Sequence, residues 1–528
     1  MTIFTKGLPY SCEFERVARL FFPFEDIHQT KDEEDFDDLH CEITLTGNEL
    51  VTFAESKTHL EKFVGTGLSP VRNLWTGESP VPTSISALSR ETLAEPELVR
   101  LAAAKELSAV LESLTGYSPP WGVLTGVRPV KLLRALCKEQ GEHAACDIFR
   151  GLYGCSEEKL ELAMRTMEGE QPVLDLSDSK SFSLYISIPF CKTRCSYCSF
   201  VSQSIERAAY LIPDYVNTLI REIESTAEIA KSLGLRLETV YMGGGTPTTL
   251  SANQLSSVLE AVNRYFDICN SSKYSFEKTE SLKIAGRNFQ TSSLREYTVE
   301  AGRPDTITRE KIAAIRAAGV DRISINPQTL NDDILKEIGR NHTSGQIYEA
   351  MDMARHEGFS CINMDLIAGL PGDDYSGFAK SLSGVIDLAP ENVTIHTLSV
   401  KKASQLSHNT NEFDPTMAVQ KMLELADKSL TAAEYSPYYL YRQQRMLGNL
   451  ENVGWQRGGH PGFYNVYIMD ETHTILAVGA GGVTKLKQPG VNHIERIFNF
   501  KFPYEYLSRF DEINSRKKGI AEFYEKFC

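Results

Sequence analysis

The chain has 528 residues, of which 42% are hydrophobic and 24% are charged. These proportions are typical of a globular protein with sizeable cores, and the length favours about two to four domains. The formal net charge of −15 argues against nucleic acid as a main partner, because phosphate binding needs a basic surface. The sequence shows neither a signal-peptide pattern nor an apolar run of the roughly 20 residues that cross a membrane. We therefore expect a cytoplasmic protein without a membrane partner.

Residues 1–175 are predicted to form an N-terminal α+β region. Two short strand-like segments come first, and from about residue 90 apolar residues recur at helical spacing until Gly116, a glycine typical of a helix end. In the loop that follows, Arg128 and Lys131 could bind carboxylates. A helix that starts with Pro129 in its first turn explains the same residues more simply.

Residues 180–405 alternate short apolar strands with helical segments, which predicts an α/β fold with a parallel sheet covered by helices. Six such units fit a partial (β/α)6 TIM-like barrel, whose strands all end at the face where barrel active sites lie. The predicted strands cover residues 183–188, 238–244, 296–301, 321–326, 361–367 and 392–398. A polar stretch at 269–295 is predicted to be a surface insertion, and residues 406–528 a C-terminal accessory domain.

Three of the eleven cysteines fall within eight residues. Cys191, Cys195 and Cys198 have the spacing Cys-x3-Cys-x2-Cys and directly follow the first predicted barrel strand. Three thiolates in one loop can ligate three irons of a [4Fe-4S] cluster and leave the fourth iron open to another ligand. A structural zinc ion is the alternative, but it would need a fourth ligand from elsewhere in the chain.

Glycines and polar residues recur around the ends of the other predicted strands, with Arg340 closing the helix after the fourth strand and Asp365 lying inside the fifth. They are Gly244, Gly245, Thr246, Glu300, Gln328, Arg340 and Asp365. Glycines let a ligand approach the backbone closely, and an aspartate inside an apolar strand needs a polar partner. Each residue alone could be structural. Their common position at one rim of the barrel indicates a binding site.

Together these motifs resemble the radical S-adenosylmethionine (SAM) superfamily and, within it, the oxygen-independent coproporphyrinogen III oxidases. The resemblance covers about residues 180–400. The segments PPWGVLTGVRPVKL and VEAGRPDTIT are similar to the coproporphyrinogen dehydrogenase branch, which carries an extra N-terminal region. The resemblance implies that the three cysteines bind a [4Fe-4S] cluster and that SAM binds its open iron. A 5′-deoxyadenosyl radical would then take a hydrogen atom from the substrate.

The resemblance also implies roles for single residues. Tyr185, Gly244 and Glu300 would contact the cluster-bound SAM. A second SAM molecule would contact Gly245, Thr246, Gln328, Arg340 and Asp365. The implied substrate is coproporphyrinogen III, a porphyrinogen whose two propionates become vinyl groups in heme biosynthesis. The implied electron donor is a protein such as flavodoxin or ferredoxin.

Two departures from the family pattern leave the substrate and the second SAM open. Phe200 stands where the oxidases have a further cysteine, and Glu-Ala-Gly-Arg-Pro replaces their Glu-Ala-Asn-Pro-like segment. Heme-trafficking relatives share the simpler cysteine motif, so a heme-binding radical SAM protein is the alternative function. Their C-terminal His-Asn-x2-Tyr-Trp segment is matched only in part around His460, which we interpret as a structural histidine.

Overall fold

The chain folds into two compact units. The computed structural model describes residues 1–6, 8, 11–22, 27–31, 39–46, 49–56, 77–80, 95–200, 202–268, 282–284, 287–289, 294–399, 416–443 and 446–527. The first unit comprises Met1–Met164, Asn409–Gln420 and Tyr441–Glu451; the second comprises Arg165–His408, Lys421–Leu440 and Asn452–Cys528. The three-part division of the sequence, with boundaries near 175 and 405, stays a prediction. Most of the predicted insertion at 269–295 lies outside the described residues.

The first unit contains a mixed sheet with the strand order β2-β1-β3-β4-β5. Its strands are β1 Thr2–Lys6, β2 His28–Thr30, β3 Leu39–Thr46, β4 Glu49–Ser56 and β5 Gly77–Pro80. The helices along this part of the chain are α1 Cys12–Phe21, α2 Glu95–Thr115, α3 Pro129–Gln140, α4 Glu142–Gly151 and α5 Glu157–Leu174. Ile3, Phe14 and Leu107 belong to one buried apolar cluster between sheet and helices. Helix α2 ends one residue before Gly116, whose φ of +69° is the left-handed conformation that ends helices.

The interpretation of Pro129 as a helix start is confirmed. Helix α3 begins at Pro129, and Arg128 is its N-cap residue. Nearby, Trp121 is fully buried, and its indole Nε1 donates to Glu451 at 2.7 Å. Lys159 binds the other oxygen of the same carboxylate at 2.5 Å. These bonds fix the segment Tyr441–Glu451 in the first unit, although it lies about 300 residues away along the chain.

The second unit is built on six parallel strands that follow one another in chain order, so the predicted α/β fold is confirmed. They are β6 Ser181–Ile188, β9 Arg236–Gly244, β12 Glu296–Glu300, β13 Arg322–Ser324, β14 Cys361–Ala368 and β15 Asn392–Thr397. Between them lie the short pair β7 Phe190–Cys191 and β8 Gln203–Ser204, and the hairpin β10 Leu282–Ile284 and β11 Arg287–Phe289. We call the end at which the six strands begin the floor, and the end at which they finish the mouth.

C-terminal strands extend this sheet at both edges. Next to β15 lie the antiparallel β17 Asn452–Gln456 and then β16 Ser436–Tyr441. Next to β6 lies the parallel β18 Thr474–Val478, followed by the antiparallel β19 Val483–Lys487 and β20 Ile494–Phe498. The six-stranded core therefore has no free edge in the described sheet, since both of its outer strands are paired.

Helices cover the sheet between its strands. They are α6 Ile205–Ala208, α7 Ile212–Ser232, α8 Ala252–Tyr265, α9 Arg309–Ala317, α10 Asp332–Glu337, α11 Ser344–His356, α12 Tyr375–Asp387, α13 Thr416–Ala432, α14 Phe463–Asp470, α15 Pro503–Ser508 and α16 Phe510–Phe527. No helix in these described ranges combines the length and the hydropathy of a membrane span.

Helix α14 closes the floor of the sheet. Its first residue, Phe463, donates its backbone N–H to Glu296, the residue that opens β12, at 2.7 Å. Its next residue, Tyr464, stacks on Tyr241 with ring centroids 4.4 Å apart and on Tyr185 at 6.2 Å. Offset stacking of this kind buries aromatic surface between the helix and two neighbouring strands. Helix α14 is therefore tied to the floor through Glu296 and reaches two tyrosines inside neighbouring strands.

Candidate functional site at the mouth of the sheet

The three clustered cysteines lie in the loop that leaves β6 at the mouth. The backbone N–H of Cys198 donates to the carbonyl of Cys195 at 3.1 Å, and that of Ser196 donates to Ile338 at 3.1 Å. Cys191 is held by the short pair β7–β8. These bonds give the cysteine loop a fixed path, and the three thiol groups lie along it.

The donor chemistry of this loop fits an iron–sulfur cluster. In the described part of the chain, no three His, Cys, Asp or Glu side chains converge on one point as ligands of a single ion. Thiolates that ligate different corners of a cubane have no need to converge on one point. Burial, together with the neighbouring Cys195 and Cys191, raises the pKa of Cys198. Bound iron favours the thiolate and would reverse this effect.

The glycine segment that ends β9 packs directly on the cysteine loop. Gly245 donates to the carbonyl of Ile188, and Thr246 donates to that of Phe190, both at 2.8 Å. A Cβ atom on Gly245 would lie 2.5 Å from the Phe190 oxygen and 3.0 Å from Cys191 Sγ. No side chain fits there without moving the loop. Thr246 Oγ1 reaches Cys191 Sγ at 3.6 Å.

Glu300 and Tyr241 form a hydrogen-bonded pair beside this glycine segment. Tyr241 Oη donates to Glu300 Oε1 at 2.7 Å, and a Cβ on Gly243 would lie 2.9 Å from the same oxygen. Burial raises the pKa of Glu300 to about 7, and the charge of Asp365 adds to the effect, whereas the Tyr241 hydrogen bond opposes it. The carboxyl group can therefore gain or lose a proton near neutral pH and can accept a hydrogen bond from a ligand.

Gln328 and Asp365 lie side by side on neighbouring chain segments. The backbone N–H of Gln328 donates to the carbonyl of Asp365 at 2.9 Å. Gln328 has a φ of +69°, a left-handed conformation that costs a residue with a side chain about 1–2 kcal/mol. Asp365 is partly buried and has polar partners: Asn363 donates to it at 2.8 Å, and His396 lies 3.6 Å away. Burial alone would raise the pKa of Asp365, but these partners lower it.

Arg340 joins three loops of the mouth. Its guanidinium donates to Tyr197 Oη of the cysteine loop at 3.0 Å and to the carbonyl of Asn326 at 2.8 Å. It also donates to the carbonyl of Gly302, beyond the end of β12. Burial would lower the pKa of Arg340, but Tyr197 and Cys195 raise it, so the side chain stays charged. A planar fork of five donors is suited to such multiple carbonyl contacts.

Sequence reasoning missed Arg303 as a residue of the site. Arg303 Nη1 donates to Cys195 Sγ at 3.4 Å, and its Nη2 donates to Thr193 Oγ1 at 2.8 Å. The sequence feature that could have pointed to Arg303 is its position three residues after Glu300, in the segment that departs from the family pattern.

His342 was also missed. It is 5% exposed, and burial together with the charges of Arg340 and Arg303 lowers its pKa to about 3.

Comparison with known proteins identifies the family to which this chain belongs. A family model described as the radical SAM superfamily matches residues 185–383. The chain is 37% identical over 427 residues to the oxygen-independent coproporphyrinogen-III oxidase-like protein HemZ of Bacillus subtilis, a match that covers 79% of this chain and 80% of the relative. The chain belongs to this family of radical SAM proteins. Superfamily members bind a [4Fe-4S] cluster and SAM, which are therefore the cofactors of this protein, as predicted.

Two further similarities have lower coverage. The heme chaperone HemW of Bacillus subtilis is 34% identical over 219 residues, which is 42% of this chain and 51% of that protein. The solved structure of coproporphyrinogen III oxidase (HemN) from Escherichia coli matches with a TM-score of 0.48 and 21% identity, over 65% of this chain and 72% of that one.

Proposed function

We propose that this protein catalyses the oxygen-independent oxidative decarboxylation of coproporphyrinogen III, which turns two propionates into vinyl groups and yields protoporphyrinogen IX in heme biosynthesis. The observation that carries the proposal is the match to an oxidase-like relative over four fifths of that relative's length. The grouping of the cysteine loop, the Glu300–Tyr241 pair and Arg340 at one mouth supports it. A flavodoxin or ferredoxin is the proposed electron donor.

The proposed ligands of the cluster are Cys191, Cys195 and Cys198. The proposed contacts of the cluster-bound SAM are Tyr185, Gly244 and Glu300. When bound, these cofactors would supply a radical that removes a β-hydrogen atom from a propionate. The resulting substrate radical would lose carbon dioxide and pass one electron to an external one-electron acceptor, which leaves a vinyl group. Gly244 has a φ of +110°, and a Cβ atom there would lie 3.1 Å from the backbone of Ile188, so the position requires glycine. Glu300 can accept a hydrogen bond from an amine or a hydroxyl group of SAM.

The residues proposed to bind a second SAM are Gly245, Thr246, Gln328, Arg340 and Asp365. Gln328 and Asp365 are neighbours at the mouth, and the strained backbone of Gln328 is of a kind that clusters at functional sites. Gly245, Thr246 and Arg340 also have contacts that hold the cysteine loop. We therefore expect changes at these three positions to affect the cluster as well as the second cofactor.

Heme binding is the second candidate function, and the similarity to heme chaperones favours it. His460 is the residue whose surroundings bear on this candidate. Its backbone carbonyl accepts a hydrogen bond from Asn392, the first residue of β15, at 2.9 Å. His460 thus lies at the floor, whereas the cysteine loop lies at the mouth. This separation supports a structural histidine rather than a heme ligand beside the cluster.

An anaerobic turnover assay tests the proposed function. The reconstituted chain is given reductant, SAM and coproporphyrinogen III, and both protoporphyrinogen IX and 5′-deoxyadenosine are measured. Formation of both products supports the oxidase, and their ratio gives the number of SAM molecules used per decarboxylation. Formation of 5′-deoxyadenosine without decarboxylated product would overturn the substrate assignment. Titration with heme would then test the second candidate.

A further inference from the structure

Arg303 is a buried cation whose donors face the cysteine loop. Its side chain is 4% exposed, and Cys195 is 8% exposed. One guanidinium nitrogen reaches Cys195 Sγ at 3.4 Å and also lies 3.4 Å from the carbonyl oxygen of Thr193. An N–H group directed at a cysteine sulfur stabilises the thiolate form, and the positive charge adds to that effect.

The charges around Arg303 leave a net positive environment beside Cys195. Asp305 accepts from Arg303 at 3.4 Å and pairs with Lys192 at 3.1 Å, so one carboxylate faces two cations. Arg340 adds a third cation, which interacts with Cys195. His342 adds no charge near neutral pH because its pKa is lowered to about 3. Thus one carboxylate, that of Asp305, only partly neutralises the three cations beside Cys195.

We propose that Arg303 raises the reduction potential of the [4Fe-4S] cluster through its hydrogen bond to Cys195 and its positive charge. The proposal rests on Cys195 being a cluster ligand, as proposed above. In the reduction step the oxidised cluster accepts one electron from a low-potential reductant, and its negative charge increases by one. A nearby cation and a sulfur-directed hydrogen bond stabilise the more negative, reduced state. Arg303 is therefore a positioning residue that makes the first electron transfer easier.

A redox titration of the whole 528-residue chain, followed by the electron paramagnetic resonance signal of the reduced cluster, tests this proposal without turnover. R303M and R303Q remove the charge and the fork of donors, and we expect the equilibrium constant for one-electron reduction to fall about tenfold. This fall corresponds to a potential about 59 mV lower. R303K keeps the charge but loses the fork, so we expect an intermediate potential. R309M removes an exposed arginine at the start of α9 and should match wild type.

Iron content, measured on the same samples, separates the failure of this proposal from failure of the ligand assignment. If wild type binds no cluster, or if C195A retains a full cluster, the ligand set is wrong and the Arg303 proposal falls with it. If R303M and R303Q carry full clusters at the potential of R309M, the proposal alone is overturned. If neither neutral variant binds a cluster, R303K decides: a lowered potential supports the proposal, and an unchanged one overturns it.

Discussion

The floor and the mouth of the second unit's sheet differ in how their buried polar groups are paired. At the floor, Glu238 is fully buried and binds Arg295 at 2.5 Å and Arg236 at 2.9 Å. At the mouth, both ring nitrogens of the buried His342 and Nε of Arg340 lack a hydrogen-bond partner within the described residues. A buried polar atom without a partner costs about 1–3 kcal/mol. The carboxylate of Glu238 is thus fully paired within the protein, whereas these atoms of His342 and Arg340 could hydrogen-bond a ligand at the mouth.

The floor and the mouth each contain a contact between an arginine and a cysteine sulfur, and the two contacts differ in their surroundings. At the floor, Arg322 donates to Cys361 Sγ at 3.1 Å, and this thiol donates in turn to Asn392 at 3.1 Å. Burial raises the pKa of Cys361 to about 12, so it stays a neutral thiol that serves the core. At the mouth, Arg303 contacts Cys195, which shares its loop with two more cysteines. An arginine beside a sulfur therefore does not by itself mark a cluster ligand.

The largest expected effect separates these two cysteines. C195A removes a proposed cluster ligand, so we expect loss of the cluster and of all SAM cleavage. C361A removes a buried thiol and leaves buried groups of Arg322 and Asn392 without this partner, at a cost of about 1–3 kcal/mol in the free energy of unfolding. Iron content and visible absorbance after anaerobic reconstitution check the pair. Full cluster absorbance in C195A would contradict Cys195 as a cluster ligand. Loss of cluster absorbance in a folded C361A would contradict Cys361 as a thiol that serves only the core.

The second prediction concerns the buried carboxylate of the floor. E238Q removes the charge that pairs with Arg295 and Arg236, and breaking a buried ion pair on one side costs about 3–5 kcal/mol. Because Arg236 is partly exposed, we expect a loss at the lower end of this range. Urea unfolding measures it. The cluster content of the folded fraction should equal that of wild type, and a selective loss of cluster would show that the floor also serves the site.

The third prediction concerns the carboxyl group of the mouth. The pKa of Glu300 is about 7 in the folded chain, against an ordinary value of 4.5. The folded state therefore binds more protons between these values, and the free energy of unfolding falls as pH rises from about 4.5 to about 7, by up to about 3 kcal/mol. Gln cannot ionise, so E300Q should lack this fall.

Urea unfolding at pH 5 and pH 8, without SAM, compares wild type with E300Q. E260Q changes an exposed glutamate of α8 and serves as the matched control that keeps the wild-type pH dependence. If wild type and E300Q respond alike to pH, Glu300 is not the group that titrates. At pH 8 we also expect E300Q to bind SAM about 10- to 100-fold more weakly, because a hydrogen bond to a charged group contributes about 1.5–3 kcal/mol.

Local sequence patterns predicted the parallel core closely. The strand predicted at 238–244 spans Arg236–Gly244, and the one predicted at 361–367 spans Cys361–Ala368. Apolar runs and the glycines that end them are local features, so they are readable without a structure. The strand predicted at 321–326 is shorter, Arg322–Ser324, because the chain then turns toward the left-handed Gln328.

Contacts between residues far apart in sequence could not be predicted in this way. Arg303 contacts a cysteine 108 positions earlier, and Arg340 contacts a tyrosine 143 positions earlier. Neither arginine carries a periodic signal, since its role depends on which loops meet at the mouth. The stacking of Tyr464 on Tyr241 is of the same kind, because it requires that a C-terminal helix close the floor. The roles assigned to single residues in cofactor binding stay predictions.

The pairing of β6 with β18 has a consequence for the synthesis of the chain. Strand β18 begins about 290 residues after β6, so a ribosome that adds roughly 5–20 residues per second supplies it about 15–60 s later. During that interval β6 can pair with β9 on one side only. An apolar strand with an open edge can pair with another chain. The nascent protein is therefore most vulnerable to aggregation while its C-terminal strands are still being made.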